Sequence, residues 1–349
     1  MRVLIIEFSN GHSELLDSHF KILKNLGAET FLAINKACYN NIDIAPHKLI
    51  YVEDEYTFIQ KVKLILKLNQ FIKKNNIQKI IFNTAEGNII RFIAPFLKKV
   101  EMIGVLHHAH KLTESNSQKM ICKWIKKYFV LGEYIERNLQ ETIDDLKIKC
   151  LYPIFYNQSH FSQHQDKYFN ICIPGNIQFK RRDYKSLIDE VKLNQNSIPD
   201  NVQFILLGNI ENGDGPAIKQ MIEDAGISNF FRFFHEFVPN DTFYNELNGA
   251  KLLLPLITPQ VNQYEEYTKS RISGTFSLSY GFKIPMILSS NFKHIEPFKD
   301  TSFISDDLID TILHLKENEK KIQSMQNKIK NHPTFSLEHN CKNFEELLT

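Results

Sequence analysis

Long apolar runs are missing from these 349 residues. None approaches the ~20 residues needed to cross a bilayer, and the opening MRVLIIEFSNGHSELL turns acidic too early for a secretory leader. The chain is therefore expected in the cytoplasm. Paired cysteines are missing too. Cys38, Cys122, Cys150, Cys172 and Cys341 are odd in number, scattered and never spaced as CxxC, which argues against both a disulfide framework and a cysteine zinc site. No stripe of arginines with interleaved aromatics occurs, so nucleic acid is not an expected partner. Charge of one sign is not in excess: the formal net charge is +2. The imbalance lies between the halves, since residues 1–165 hold 22 Lys+Arg against 16 Asp+Glu and the remainder 20 against 24. An anionic surface, lipid headgroups included, suits the first half better.

What is present reads as two α/β domains. Hydrophobic content of 43% and charged content of 23% are ordinary for a globular chain, and the length suits two cores better than one. Short β-branched runs at 3–8, 29–35, 79–83, 102–106, 128–131 and 149–154 alternate with helical periodicity at 15–26, 57–75, 89–97, 117–125 and 134–139. The polar stretch 157–166 interrupts the pattern, which restarts with strands at 169–173, 202–207, 230–234, 252–256 and 286–288. Helices are expected between them and over 306–330. Alternation of this kind predicts parallel sheets covered on both faces: two Rossmann-like, doubly wound domains facing across a cleft, with helices at the C-terminus. The expected division is 1–160, 161–330 and a helical tail over 331–349.

In open α/β sheets ligands bind beyond the carboxyl ends of the strands, so the polar loops there carry the candidate chemistry. After the first strand come Asn10, Gly11, His12, Ser13 and Glu14; after 79–83 come Thr84, Glu86 and Gly87; after 102–106 come His107, His108 and His110. In the second half the corresponding loops carry Gly175, Asn176 and the basic run Lys180-Arg181-Arg182, then His235. The stretch YEEYTKSRISGTFSLSYGFKIPMIL (264–288) is the focus, because its turn Ser273-Gly274-Thr275 opens a helix whose N–H groups suit an anion. Lys269 and Ser270 lie just upstream and add phosphate-binding potential. The single glycine and the lack of a Walker pattern leave an ordinary loop, helix and strand crossover as the plain alternative.

The segments ICIPGNIQFKRRDYKSLI (171–188), NFFRFFHEFVPNDTFYNELNGAKLLLPLI (229–257) and SGTFSLSYGFKIPMIL (273–288) together resemble the donor domain of GT-B fold glycosyltransferases, and the likeness extends in architecture over most of the chain. Two departures stand out. Lys283 occupies a position where a glycine is usual, and Ser270 and Leu278 fall where many retaining members carry two glutamates, so the anomeric outcome is open. The resemblance implies a C-terminal domain that binds a nucleotide-diphosphate sugar and an N-terminal domain that binds a saccharide or lipid-linked acceptor. It implies no metal and no cofactor beyond the nucleotide-sugar co-substrate. The surface-polysaccharide enzymes of bacteria are the nearest functional expectation; a nucleotide-sugar epimerase of the same architecture and a non-catalytic nucleotide- or sugar-binding protein are the alternatives.

Under that resemblance the donor side is expected to comprise Gly175, Asn176, Lys180, Arg181, Arg182, His235, Glu266, Tyr267, Lys269, Ser270, Ser273, Gly274 and Thr275. Asn10, Gly11, His107, His108 and His110 would serve the acceptor. An acceptor hydroxyl must lose a proton as it attacks an anomeric carbon, and His12 is the first candidate base, with Glu86 and Glu14 behind it. Each also has a structural reading as a helix-start residue. The three histidines lack further ligands nearby in sequence for a metal site. Finally, SQKMICKWIKKYF (117–129) interleaves apolar residues and Trp124 with lysines, a pattern suited either to peripheral contact at the inner membrane face or to packing on the sheet.

Overall fold

Two runs of buried β-branched residues organise the two sheets. In a computed structural model that describes residues 1–40, 42, 44–156 and 167–349, the run VLII in strand β1 (Arg2–Glu7) is buried from Val3 to Ile6, as a strand covered on both faces must be. It pairs in parallel with β2 (Glu29–Asn35) on one side and β4 (Lys79–Phe82) on the other. β3 (Lys48–Val52), β5 (Glu101–Leu106), β6 (Lys127–Val130) and β7 (Lys147–Cys150) complete a seven-stranded sheet of order β3-β2-β1-β4-β5-β6-β7. The second sheet has six strands: β8 (Phe169–Pro174), β9 (Val202–Asn209), β10 (Phe231–Phe234), β11 (Leu252–Leu253), β12 (Met286–Leu288) and β13 (Ser302–Ile304). Their order, β10-β9-β8-β11-β12-β13, reverses direction after β8 just as the first sheet reverses after β1. All pairings are parallel, which makes each half doubly wound.

Contacts divide the chain into one unit of Met1–Asn157, Lys269–Arg271 and Ser336–Thr349 and another of Gln158–Thr268 and Ile272–Phe335. The expected boundary stretch 157–166 lies outside the described residues. The last helix, Leu337–Leu348, expected within a separate tail, packs on the first unit: the Phe344 ring stacks on Phe129 at 4.4 Å, Asn340 Oδ1 accepts from the Tyr152 amide at 3.0 Å, and Asn343 Nδ2 donates to Cys150 O at 2.9 Å. The helix thus covers the end of edge strand β7 and satisfies backbone groups that an edge leaves open.

Elsewhere the boundaries follow local chemistry. The helix Phe58–Asn75 starts at a capping box in which Thr57 Oγ1 accepts from the Gln60 amide and the Gln60 side chain accepts from the Thr57 amide. The strand expected over 252–256 stops at Leu253, because Pro255 has no amide proton and Leu256 adopts a positive φ of 52°. The single helix expected over 306–330 is two, Leu308–Glu317 and Glu319–Asn331, broken where Asn318 leaves helical geometry. The edge strands β3 and β13 and the short helix Tyr264–Lys269 were not expected from the sequence pattern.

Candidate functional site

In the first unit the strand order reverses between β1 and β4, and the residues that follow these two strands meet there. Glu7 ends β1 and is 1% exposed, a position that a carboxylate tolerates only with its oxygens bonded. They are: Oε1 accepts from the Ser9 amide and hydroxyl, both at 2.8 Å, while Oε2 accepts from Asn83 Nδ2 at 2.8 Å and Thr84 Oγ1 at 2.7 Å. Asn83 Nδ2 also donates to His12 O at 3.0 Å, so Glu7 and Asn83 together hold the turn on which His12 sits at a positive φ of 61°.

His12 Nδ1 lies 3.3 Å from Glu14 Oε1, and its ring lies 3.7 Å, centroid to centroid, from that of His107. Burial opposes charge on His12, but the hydrogen bond to Glu14 and the carboxylates of Glu14, Glu7 and Glu86 outweigh it and raise its pKa above 6.5. Glu14 moves the other way, its burial overridden by the bond to His12. Burial, with the His12 charge, depresses His107 to about 4. Its Nε2, 2.9 Å from Asn83 O, must carry the proton, since a carbonyl only accepts.

Glu86 corrects an expectation. Its Oε1 accepts from the amides of His107 and His108, both at 2.8 Å, and its Oε2 faces His108 Nδ1 at 3.2 Å and Lys111 Nζ at 2.5 Å. Burial works against the charge, yet the bonds to His108 and Lys111 hold the carboxyl well below the usual range. A carboxylate so placed is a poor base; it orders the turn 107–111. Among the other acceptor candidates, Gly11 accepts from Cys38 Sγ at 3.3 Å, Asn10 is exposed, and the His110 ring meets that of His108 edge-on at 6.0 Å. Among the described residues no group of three or more His, Cys, Asp or Glu is placed to hold a metal ion. Sequence reasoning missed Glu7, Asn83 and Lys111; an acid closing an otherwise apolar strand was the available signal for Glu7.

The second unit repeats the geometry at its own reversal, between β8 and β11. Gly175 follows β8 at a φ of 101°, and Gly208 at the end of β9 comes so close that a Cβ there would lie 2.3 Å from Gly175 O. Arg182, expected to reach a diphosphate, is buried instead. Its guanidinium donates to Pro174 O, to Pro255 O at 3.0 Å and to Thr275 Oγ1 at 3.4 Å, tying together the ends of β8 and β11 and the start of the helix Gly274–Phe282. Lys180 and Asn176 are exposed and Arg181 half-buried in the same loop. Ser273 is the N-cap of that helix and makes no side-chain cap; Gly274 is exposed with nothing within 4 Å of a Cβ placed on it, Thr275 is buried, and the Phe276 amide already donates to Ser273 O at 2.9 Å. His235 Nδ1, after β10, lies 2.7 Å from Glu211 Oε1, both side chains largely exposed.

Lys269 and Ser270 belong to the first unit and Ser273–Thr275 to the second. Within the first unit Asn138 Nδ2 donates to Lys269 O at 2.9 Å and the Ala109 amide donates to Ser270 O at 3.0 Å. Glu266 and Tyr267 lie on the helix Tyr264–Lys269, with Tyr267 buried and its hydroxyl 3.3 Å from Gln263 Oε1. The left-handed C-cap that closes the helix Gly274–Phe282, at φ 59°, is Lys283, which explains why glycine would be usual there.

No family model matches the sequence, and no curated protein matches it. Solved structures do match the fold. Anabaena HepE in complex with UDP superposes with a TM-score of 0.70 at 13% identity, over 100% of this chain and 99% of that one. The chain has the GT-B fold. A glycosyltransferase from Rickettsia africae ESF-5 matches GT-B architecture equally fully, with a TM-score of 0.68 at 15% identity over 100% of this chain and 98% of that one. A putative UDP-N-acetylglucosamine 2-epimerase from Listeria monocytogenes follows at 0.63 and 12%, over 99% and 94%. The GT-B fold therefore hosts transfer and epimerisation alike, and the choice between them rests on site chemistry.

Proposed function

We infer that this protein is a glycosyltransferase, moving a sugar from a nucleotide-diphosphate sugar to a saccharide or lipid-linked acceptor in cell-surface polysaccharide assembly. The observation that carries the reading is the His12–Glu14 pair at the reversal of the first sheet. Glu14 holds the Nδ1 side of the ring and leaves Nε2 to take the proton of an acceptor hydroxyl as its oxygen attacks the anomeric carbon. Glu7 and Asn83 fix the turn that presents the ring. From the second unit, the start of the helix Gly274–Phe282, which has no side-chain cap and exposes Gly274, suits the negative charge that builds on the departing diphosphate. Gly175 and Asn176 line the same end of that sheet, and Arg182 acts there by positioning Thr275 and the Gly175 turn rather than by direct contact. We assign His235 to the nucleoside end of the donor. Solved structures of this fold described with UDP, and with UDP and glucose, support a uridine nucleotide donor.

The test combines calorimetry and a transfer assay. A thermal-shift panel of UDP-, GDP-, CMP- and dTDP-sugars first identifies the donor, since a ligand of the native state raises the melting temperature. His12→Ala then binds that donor as the parent does and loses turnover on the order of 100-fold or more, within the range of general-base contributions. Product formed from the donor alone, as a rearranged nucleotide-sugar with no acceptor present, identifies an epimerase instead.

A further inference from the structure

Three helical segments of the first unit carry no acid. Residues 56–85, 87–100 and 115–132 contain neither Asp nor Glu, and they include the helix Phe58–Asn75, the helix Asn88–Ile93 with its extension Ala94–Phe96, and the helix Asn116–Ile121. They also hold seven of the twelve large hydrophobic side chains that the described residues leave exposed, so the exposure is concentrated rather than scattered.

The helix Phe58–Asn75 shows how. Leu64, Ile65, Leu68 and Ile72 face the core, while Ile59, Val62 and Leu66, spaced i, i+3 and i+7, form a second apolar stripe. Phe58, Ile59 and Leu66 are 70%, 68% and 66% exposed. A helix that needs one apolar face to fold has therefore been given two. The patch is continuous. Phe58 meets the Phe92 ring at 5.7 Å, Phe92 meets Phe96 at 6.2 Å, and Lys98 Nζ lies 6.0 Å from the centre of Trp124, which projects beside Met120 while Ile121 and Ile125 turn inward. Exposed lysines surround it, among them Lys63, Lys98, Lys119 and Lys123. The nearest acids in sequence are the exposed Glu53, Asp54 and Glu55 before the first helix, Glu86 before the second and the exposed Glu114 before the third; the Glu86 side chain is buried and engaged by His108 and Lys111, and Glu101 is engaged by Lys79 and Lys127.

We propose that this face, formed by Ile59, Leu66, Phe96 and Trp124 within a ring of lysines, docks the protein in the plane of an anionic phospholipid membrane. Apolar side chains and an aromatic anchor enter the headgroup boundary while lysines meet lipid phosphates, and the absence of acids removes the repulsion that an ordinary mixed-charge surface would incur. No helix among the described residues is long and apolar enough to cross a membrane, so the attachment is peripheral. The proposal goes beyond sugar transfer and is tested without donor or acceptor, so the two readings fail separately.

The full chain is floated with phosphatidylcholine vesicles with and without a minority of phosphatidylglycerol. It is expected to float with the anionic vesicles only, and to be released by high salt. The variant Lys63→Ala/Lys98→Ala/Lys123→Ala weakens binding on the order of 100-fold, at about 1 kcal/mol per lysine near an anionic surface. The variant Ile59→Ser/Leu66→Ser, at positions already exposed, also loses flotation while unfolding at the parent temperature. Equal flotation with neutral vesicles, undiminished binding by either variant, or no flotation at all overturns the proposal. So does a dimer in light scattering that Ile59→Ser/Leu66→Ser converts to monomer, which would assign the face to a second copy.

Discussion

Glu14 sets the proton affinity of the proposed base. Its bond to His12 and the charges of Glu7 and Glu86 raise the imidazole above its ordinary value, so more of the ring is protonated near neutral pH and unable to accept a proton. Turnover should therefore climb with pH until the raised pKa is passed. Replacing Glu14→Gln removes the first of those carboxylates, and the ascending limb of the kcat/KM profile should move to lower pH, with the maximum reduced because the ring is less firmly oriented. A limb that stays in place would remove His12 from the role. Glu86→Gln tests the corrected assignment: loss of the anion that gathers the His107 and His108 amides should lower the melting temperature, while the pH limb moves only slightly.

At the level of elements, the helix Gly274–Phe282 offers a clean dissection. Proline is tolerated at the first position of a helix, and Ser273 before it already has the extended ψ of 135° that a following proline requires. Gly274→Pro should leave stability nearly unchanged and remove a single amide donor. Affinity for the nucleotide diphosphate should fall about tenfold, the worth of one charge-assisted hydrogen bond, in calorimetry on the intact chain. Unchanged affinity would mean that the diphosphate binds elsewhere. Much of this element was legible in the sequence, because an apolar helix after a small-residue turn and before a short β run obeys local rules. The two sheets were legible for the same reason: alternation of period marks parallel strands, and β2 and β12 fall on the residues that pattern indicated. What failed was tertiary. The run Lys180-Arg181-Arg182 reads as a set of diphosphate contacts, and only the carbonyls of Pro174 and Pro255, brought together by strand order, show why Arg182 is buried. The helix Tyr264–Lys269 is short and mostly polar, with Tyr267 as its single buried side chain, too little for periodicity to register. Lys269 and Ser270 follow it in sequence toward Gly274 but pack on the first unit, a destination that no local pattern encodes.

Over the whole molecule, two Rossmann units each carry their own core, and the first depends on the chain's last helix. Phe344 is wholly buried, stacked on Phe129 and meeting the His19 ring edge-on at 5.5 Å, so Phe344→Ala should cost the first unit about 3–5 kcal/mol, as other buried Phe→Ala changes do. Trp124, the single tryptophan, lies in that unit and reports its unfolding alone in urea titrations. The same probe reads the pH dependence of stability. Burial depresses His19 to about 3 and His107 to about 4, whereas in the unfolded chain both regain their ordinary 6.5. Between pH 6.5 and about 4 the unfolded chain therefore binds protons that the folded chain refuses, and stability is complete above that window and lost as the pH falls through it. Each such histidine contributes a slope of up to about 1.4 kcal/mol per pH unit. His12 has the opposite sign: its raised pKa adds stability below 6.5 that disappears as the pH rises through the folded value. Because the two buried rings oppose one partly exposed one, acid should destabilise the first unit on balance. His19→Leu, which keeps the volume and cannot bind a proton, should roughly halve the slope measured by Trp124 between pH 6 and pH 4.5; a slope identical to the parent's would mean that His19 is not held neutral in the fold.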